Sequence, residues 1–219
     1  MDPLEEHIQF LCAWDPVTIH GGKLPHWQQA RVCVFVTFRL SDSIPRNLLT
    51  AWEAERKAWL ARHPESRDPD LIEAFQRSYT TRIEEWLDRG QGSCLLRSPN
   101  VAKILKGVLH EGDGQICVLH GWVIMPNHVH ILFSPTTRAI KDVLKAWKGT
   151  SARRINLALD RVSSTVWMKG YHDRLIRDGE HFRRCVNYIR NNPKKAGLAD
   201  QGYIVFESDL VKRLVPIEQ

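Results

Sequence analysis

Little in this sequence suits an oxidising or a lipid environment. Five cysteines, Cys12, Cys33, Cys94, Cys117 and Cys185, lie scattered along 219 residues, and no two form a C-x-x-C pair. That spacing argues against a disulfide framework and a zinc ribbon, and reads as small buried hydrophobes in a reducing compartment. No run approaches the roughly 18 consecutive apolar residues that a membrane span needs. The best, Ile116 to Met125, is broken by His120 and Gly121. The opening Met-Asp-Pro-Leu-Glu-Glu is acidic and lacks the apolar segment of a secretory signal, so the cytoplasm is the expected location. Glycine (13) and proline (11) are sparse, and there is no internal repeat or low-complexity tract.

Hydrophobic residues make up 43% and charged residues 26%, enough apolar content for a real core. The length predicts one domain, or one domain with a sizeable insertion. Lys and Arg total 31 against 25 Asp and Glu, a net charge of +6. The excess is uneven: residues 1–135 carry −2 and residues 136–219 carry +8. Between 138 and 195 there are 15 basic and 5 acidic side chains. Lys141, Lys145 and Lys148 share one side of a predicted helix that also holds Arg153 and Arg154. A solvated helix face is the ordinary reading of such a run, and a polyanion contact is the sharper one.

Hydrophobic periodicity sets out the elements. Val32, Val34, Val36, Phe38 and Leu40 alternate as a strand that Ser41 to Pro45 ends, after an irregular lead-in of about thirty residues. From about 46 to 90 the period changes to steps of three and four, through Ile72, Phe75, Tyr79, Ile83 and Trp86. His63 to Pro69 divides this region into two helices, the first holding Trp52 and Trp59, and it reads as an insertion. Val101, Ile104, Leu105, Val108 and Leu109 mark a short helix ended by Glu111 to Gly114. Ile116–Met125 and His128–Phe133 are then strands separated by Pro126 and Asn127 alone, which predicts an antiparallel hairpin. A long helix carries Ile140, Val143, Leu144, Trp147, Ile155 and Leu159, and Thr165 to Tyr171 can form a fourth strand. The last helix is expected from Glu180 to Asn192, because Pro193 disfavours helical geometry in the residue before it. The order β-α-β-β-α-β plus a terminal helix predicts an α+β fold with a ferredoxin-like antiparallel sheet and a helical insertion after the first strand.

Two segments carry chemistry. In Met125-Pro126-Asn127-His128-Val129-His130, residues two apart on a strand share a face, so His128 and His130 sit side by side. Two adjacent imidazoles can share a divalent metal, each fixed by a hydrogen bond at its other nitrogen, or they can be a satisfied pair on a strand face. On the last helix Phe182, Val186 and Ile189 form a core stripe, while His181, Arg184, Tyr188 and Asn192 line a polar face. A tyrosine among cations is well placed to meet phosphate, although a half-buried packing tyrosine is the commoner fate.

Together these segments resemble the HUH (His-hydrophobe-His) single-tyrosine endonucleases, and most specifically the REP-associated tyrosine transposases. The matching pieces are Leu24-Pro25-His26, Phe35 to Leu40, Gly121 to His130, Trp167, Tyr171-His172-Asp173-Arg174, and Tyr188-Ile189 leading into Asn191 to Leu198. They span residues 24–198, with 46–90 as an insertion beyond the minimal domain and 199–219 as a C-terminal extension. The resemblance implies that His128, His130 and Asn192 hold Mg²⁺ or Mn²⁺, and that Tyr188 attacks a scissile phosphate to give a 5′-phosphotyrosine enzyme and a free 3′-hydroxyl. It implies single-stranded DNA hairpins of palindromic repeats as the partner, a bacterial nucleoid-associated location, and a monomer, with a dimer as the alternative. Lys145, Lys148, Arg153, Arg154, Arg184, Arg190 and Lys194 are the expected phosphate contacts, and Trp147 and Trp167 candidates for base stacking, Trp147 being better placed as core.

Two other functions compete. One is a domesticated protein that binds hairpins without cutting, since a ferredoxin-like sheet with a basic face is also an RNA-binding plan; no aromatic RNA-binding pattern marks its strands. The other is a metal-dependent hydrolase of small molecules, which needs further His or carboxylate ligands at strand ends; among carboxylates only Asp173 qualifies.

Overall fold

The structure is a computed structural model that describes residues 2–20, 26–63, 78, 81–198 and 201–217. Leu24, Pro25, Ile72, Phe75 and Tyr79 of the sequence reading, and most of the break from His63 to Pro69, lie outside the described residues.

A two-stranded hairpin of β1 (Thr18–His20) and β2 (His26–Gln28) stands where the sequence suggested only an irregular lead-in. Next come β3 (Val34–Arg39), α1 (Arg46–Arg62), a helical stretch at 81–88, α2 (Pro99–His110), β4 (Cys117–Ile124) and β5 (His128–Pro135). After these follow α3 (Ile140–Ala158), β6 (His172–Leu175), α4 (Gly179–Lys195), β7 (Ile204–Glu207) and α5 (Asp209–Leu214). The main sheet runs β6-β3-β5-β4-β7 with every neighbour antiparallel. Its first four members have the predicted ferredoxin-like order, and β4 and β5 form the predicted hairpin around Pro126 and Asn127. β7 extends the sheet beyond it, so the segment after 198 contributes a strand that its short, weakly alternating sequence did not announce.

The two faces of the sheet have different cores. Val34, Val36 and Phe38 join Trp122, Val129, Ile131 and Phe133 under α2 and α3. Phe35, Val123 and Leu132 face the other way, against Phe182, Val186 and Ile189 of α4, with Leu4 and Ile8 closing the edge. At roughly 1.5–3 kcal/mol for each fully buried large side chain, both faces are strongly held, and a one-residue slip of β5 would exchange them. The insertion has its own small cluster, where Ile44, Trp86 and Leu87 meet Leu48, Leu49, Trp52 and Ile83. Trp86 is thus internal, while Trp59 stacks on His63 with ring centroids 4.5 Å apart.

Two expected boundaries shift. The fourth strand is His172–Leu175 rather than Thr165 to Tyr171, where only Trp167 makes a bridge, to Leu40. Lys148 Nζ captures the carbonyls of Met168 and Gly170 at 2.7 and 2.6 Å, and Gly170 has φ +75°, which turns the chain before pairing begins. The apolar signal of Val166 and Trp167 reflects burial, not a ladder. Helix α4 continues through Pro193 to Lys195. One helical hydrogen bond is lost there, but Leu198 N donates to Pro193 O and Gly197 N to Lys194 O, a complete C-terminal cap with Gly197 at φ +67°. Among the described residues no helix is long and apolar enough to cross a membrane.

Candidate active site

The β4–β5 turn and α4 build the site from opposite sides. Alternation along β5 puts Val129 and Ile131 in the core under α3, and so turns His128 and His130 to the face covered by α4. Both imidazoles are at most 1% exposed. Their Nε2 atoms are 3.0 Å apart. His128 Nδ1 lies 2.8 Å from Asn127 Oδ1, and His130 Nδ1 lies 2.7 Å from Thr37 Oγ1.

Tyr188 meets this pair from α4. Its ring stands edge-on to His130 at 5.0 Å and to Phe35 at 5.7 Å, and Phe35 stacks on His130. One helical turn on, Asn192 is 1% exposed, and neither amide atom finds a hydrogen-bond partner among the described residues. The Tyr188 hydroxyl is likewise buried and closes no hydrogen bond of good geometry there. Burial of such groups without partners costs about 1–3 kcal/mol each, so the site keeps polar capacity that packing alone does not explain.

Charge around the tyrosine is mixed. Lys195 Nζ sits 5.8 Å from the ring centroid and 3.0 Å from Asp88 of the insertion. Burial raises the Tyr188 phenol well above its ordinary ionisation, and Glu84 and Asp88 push it further. Burial also raises the Glu84 carboxyl and pushes His128 down to about 3, with Lys195 reinforcing the latter; His130 is held well below its ordinary value for the same first reason. Both imidazoles are therefore neutral near pH 7, the state that ligates metals.

The donor set fits a divalent cation. Two nitrogens about 2.1 Å from one ion and at a right angle are about 3.0 Å apart, which is the separation of the two Nε2 atoms. Asn192 could add an amide oxygen. No group of three His, Cys, Asp or Glu placed to hold a metal occurs among the described residues.

The basic residues divide. Lys145, Lys148, Arg153 and Arg154 lie on α3, across the sheet from Tyr188, rather than flanking it. Lys148 holds the 168–170 carbonyls, and Arg154 pairs with Glu111. Arg190 grips both Glu207 oxygens at 2.7 and 2.8 Å and the Val215 carbonyl at 2.7 Å, fastening β7 and the chain after α5 to α4. Arg184 pairs with Glu180 one turn away. Lys145, Arg153, Arg184 and Lys194 are exposed. Trp167 and Trp147 are both buried, the former donating from Nε1 to Ser151 Oγ at 2.9 Å.

Several neighbours of the site escaped sequence reasoning: Thr37, Asn127, Arg39, His172, Glu84, Asp88 and Lys195. In register, Arg39 faces His128, and Thr37 faces both His130 and His172. Strand alternation from Phe35 to Arg39 was the available signal for Thr37 and Arg39; nothing local announced Glu84 and Asp88.

A His-x-His pair thus lies under a helix-borne tyrosine on one ferredoxin-like sheet. Residues 97–192 match the family model described as transposase IS200 like. That stretch, which holds His128, His130, Tyr188 and Asn192, is similar to the IS200-like transposases, and the likeness extends to the REP-associated tyrosine transposases. The ISDra2 transposase TnpA of Deinococcus radiodurans is 47% identical over 45 residues, 20% of this chain and 32% of that one. The REP-associated tyrosine transposase of Escherichia coli K12 is 23% identical over 104 residues, 46% of this chain and 61% of that one. The matches thus span about a third and about three fifths of these curated relatives. A solved structure of a REP-associated tyrosine transposase bound to a REP hairpin aligns with a TM-score of 0.45 at 15% identity, over 83% of this chain and 78% of that chain.

Proposed function

We propose that this chain is a metal-dependent single-stranded DNA endonuclease and strand transferase acting on hairpins of palindromic repeats. The observation that carries the reading is the buried Tyr188 hydroxyl beside a neutral histidine pair and Asn192, where neither the hydroxyl nor the amide closes a hydrogen bond of good geometry among the described residues. His128, His130 and Asn192 would hold Mg²⁺ or Mn²⁺; two imidazoles suit Mn²⁺ at least as well as the harder Mg²⁺. Such an ion, when bound, polarises a phosphate and offsets charge on its oxygens.

Tyr188 Oη forms a bond to phosphorus as the bond from phosphorus to the 3′ oxygen breaks. The phenol releases a proton and the departing 3′ oxygen takes one up, so the exchange is proton-neutral and the phosphate is conserved as a 5′-phosphotyrosine. Attack by a 3′-hydroxyl reverses the step and joins strands. Lys195 lies where it can offset the phenolate during attack. The exposed cations Lys145, Arg153 and Lys194 are the first phosphate contacts in this reading, with Arg184 shared with Glu180; Lys148, Arg154 and Arg190 act first in contacts within the protein. With α4 packed on the sheet of its own chain, one chain supplies Tyr188 and both histidines, so a monomer would suffice to build the site. The cytoplasm and its nucleoid are the location such a substrate requires.

Single-stranded hairpin DNA with Mn²⁺, run on a denaturing gel, tests the reading. A covalent protein–DNA band is expected, lost in Tyr188→Phe and reduced in His128→Ala. A band persisting in Tyr188→Phe removes the nucleophile assignment. Tight hairpin binding with no band for any sequence favours the non-cleaving binder.

A further inference from the structure

Among the described residues the insertion reaches the histidine pair through the Asn127 side chain. Its carboxamide is completely buried in the three-residue turn (125–127) between β4 and β5. Asn127 Nδ2 lies 3.2 Å from the Leu87 carbonyl and 3.1 Å from the Gln91 carbonyl, both at the end of the insertion. Carbonyl oxygens only accept, so the amide nitrogen must face them. Asn127 Oδ1 is then left to face His128 Nδ1 at 2.8 Å, and that oxygen also only accepts.

We propose that Asn127 is a positioning residue of the metal site, and that the insertion sets the proton on His128 through it. The chain of donors permits one arrangement. His128 Nδ1 carries the hydrogen, so its neutral ring offers a bare lone pair at Nε2. His130 Nε2, 3.0 Å away, must then carry the proton between the rings in the metal-free protein, with His130 Nδ1 accepting from the Thr37 hydroxyl. To ligate a cation through Nε2, His130 would have to carry its hydrogen at Nδ1, with Thr37 Oγ1 accepting it rather than donating. His128 needs no such change, so Asn127 prepares one ligand in advance while Thr37 follows the other. The hand-over moves one proton within one ring through solvent exchange and leaves the net charge of the pair unchanged.

Carrying this to metal affinity rests on the metal-site reading above; the tautomer does not. Long-range ¹H–¹⁵N spectra of the metal-free full chain test the tautomer directly and need no variant. The expected result is a protonated Nδ1 and an unprotonated Nε2 on His128. Protonated Nε2 on His128 overturns the proposal, whether or not the protein binds metal. Mn²⁺ titrations followed by electron paramagnetic resonance then compare the parent with Asn127→Ala and Asn127→Asp. Affinity is expected to fall tenfold to a hundredfold in Asn127→Ala, with His128 becoming a tautomer mixture, whereas Asn127→Asp, which keeps an acceptor for His128 Nδ1, retains the parent tautomer. Folded Asn127→Ala with the parent tautomer and affinity within twofold overturns the positioning role. If the parent itself takes no Mn²⁺, the metal reading fails while the spectra still decide what sets His128.

Discussion

His128 Nε2 and His130 Nε2 stand 3.0 Å apart, each ring held from behind, by Asn127 and Thr37 respectively. A pair so constrained is preorganised, and a cation bound only by the folded chain stabilises it by mass action. At a hundred times its Kd the gain is about 2.7 kcal/mol. For a chain of 219 residues that corresponds to a rise in melting temperature of roughly 5–10 °C. Thermal melts with Mn²⁺ against EDTA are expected to show this rise, and His128→Ala to abolish it.

Buried neutral histidines also set an acid limit. His120, held by Ser134 Oγ at 2.8 Å, is pushed down to about 4 by burial, and His128 to about 3. Unfolded, each titrates near 6.5, so below that pH the unfolded chain binds more protons. Their stabilisation is complete above about pH 6.5 and is lost as the pH falls toward the folded values, by about 1.4 kcal/mol per unit for each histidine at the limit. Urea midpoints are expected to drop between pH 7 and pH 5, less steeply in His120→Gln. A flat profile contradicts the burial of neutral rings.

Asn192 separates function from stability. Its two amide atoms are buried without partners among the described residues. Removing unsatisfied groups returns about 1–3 kcal/mol of desolvation, which offsets the small cavity left behind. Asn192→Ala is expected to melt within a few degrees of the parent while binding Mn²⁺ at least tenfold more weakly. A large loss of stability would show that Asn192 has a packing partner instead.

Most of the sheet was legible because alternation in β3 and the apolar runs of β4 and β5 satisfy one pleated geometry. The histidine pair was legible for the same reason, and the Tyr188–Asn192 spacing because a helix repeats every 3.6 residues. What escaped depends on contacts distant in sequence. Thr165 to Tyr171 looks strand-like, yet Lys148 takes two of its carbonyls. Pro193 looks like a stop, yet Gly197 caps the helix beyond it. Basic side chains of α3 and α4 are continuous in sequence but sit on opposite faces of the sheet. Glu84 and Asp88 belong to a helix whose own pattern describes only its packing on α1.

Asp88 gives the insertion an electrostatic hold on Tyr188. Its carboxylate raises the Tyr188 ionisation and pairs with Lys195, the cation beside the ring. Asp88→Asn removes the first effect and frees Lys195 from the second, so both changes lower the phenol's ionisation. Each unit of lowering increases the phenolate fraction at neutral pH about tenfold. The pH–rate profile for covalent adduct formation is therefore expected to move to lower pH in Asp88→Asn, with Lys195→Ala moving it the other way. Equal profiles for all three proteins exclude an electrostatic role for the pair.

Gly92 joins the insertion to the rest of the chain at φ +86°, directly after the Gln91 carbonyl that holds Asn127. A Cβ there meets the backbone oxygen of Asp42 at 2.4 Å and its carbonyl carbon at 2.8 Å, which no rotamer change can relieve. Gly114, at φ +76° with open space around it, carries only the conformational penalty. Gly114→Ala is expected to cost about 1 kcal/mol, and Gly92→Ala distinctly more because the backbone must move as well. That movement displaces Gln91, so Gly92→Ala is also expected to weaken Mn²⁺ binding, whereas Gly114→Ala leaves it unchanged. Urea midpoints and Mn²⁺ titrations on the two variants separate clash from conformation. Equal losses in both would mean that the 91–93 backbone yields freely and that the insertion is not rigidly tied to His128.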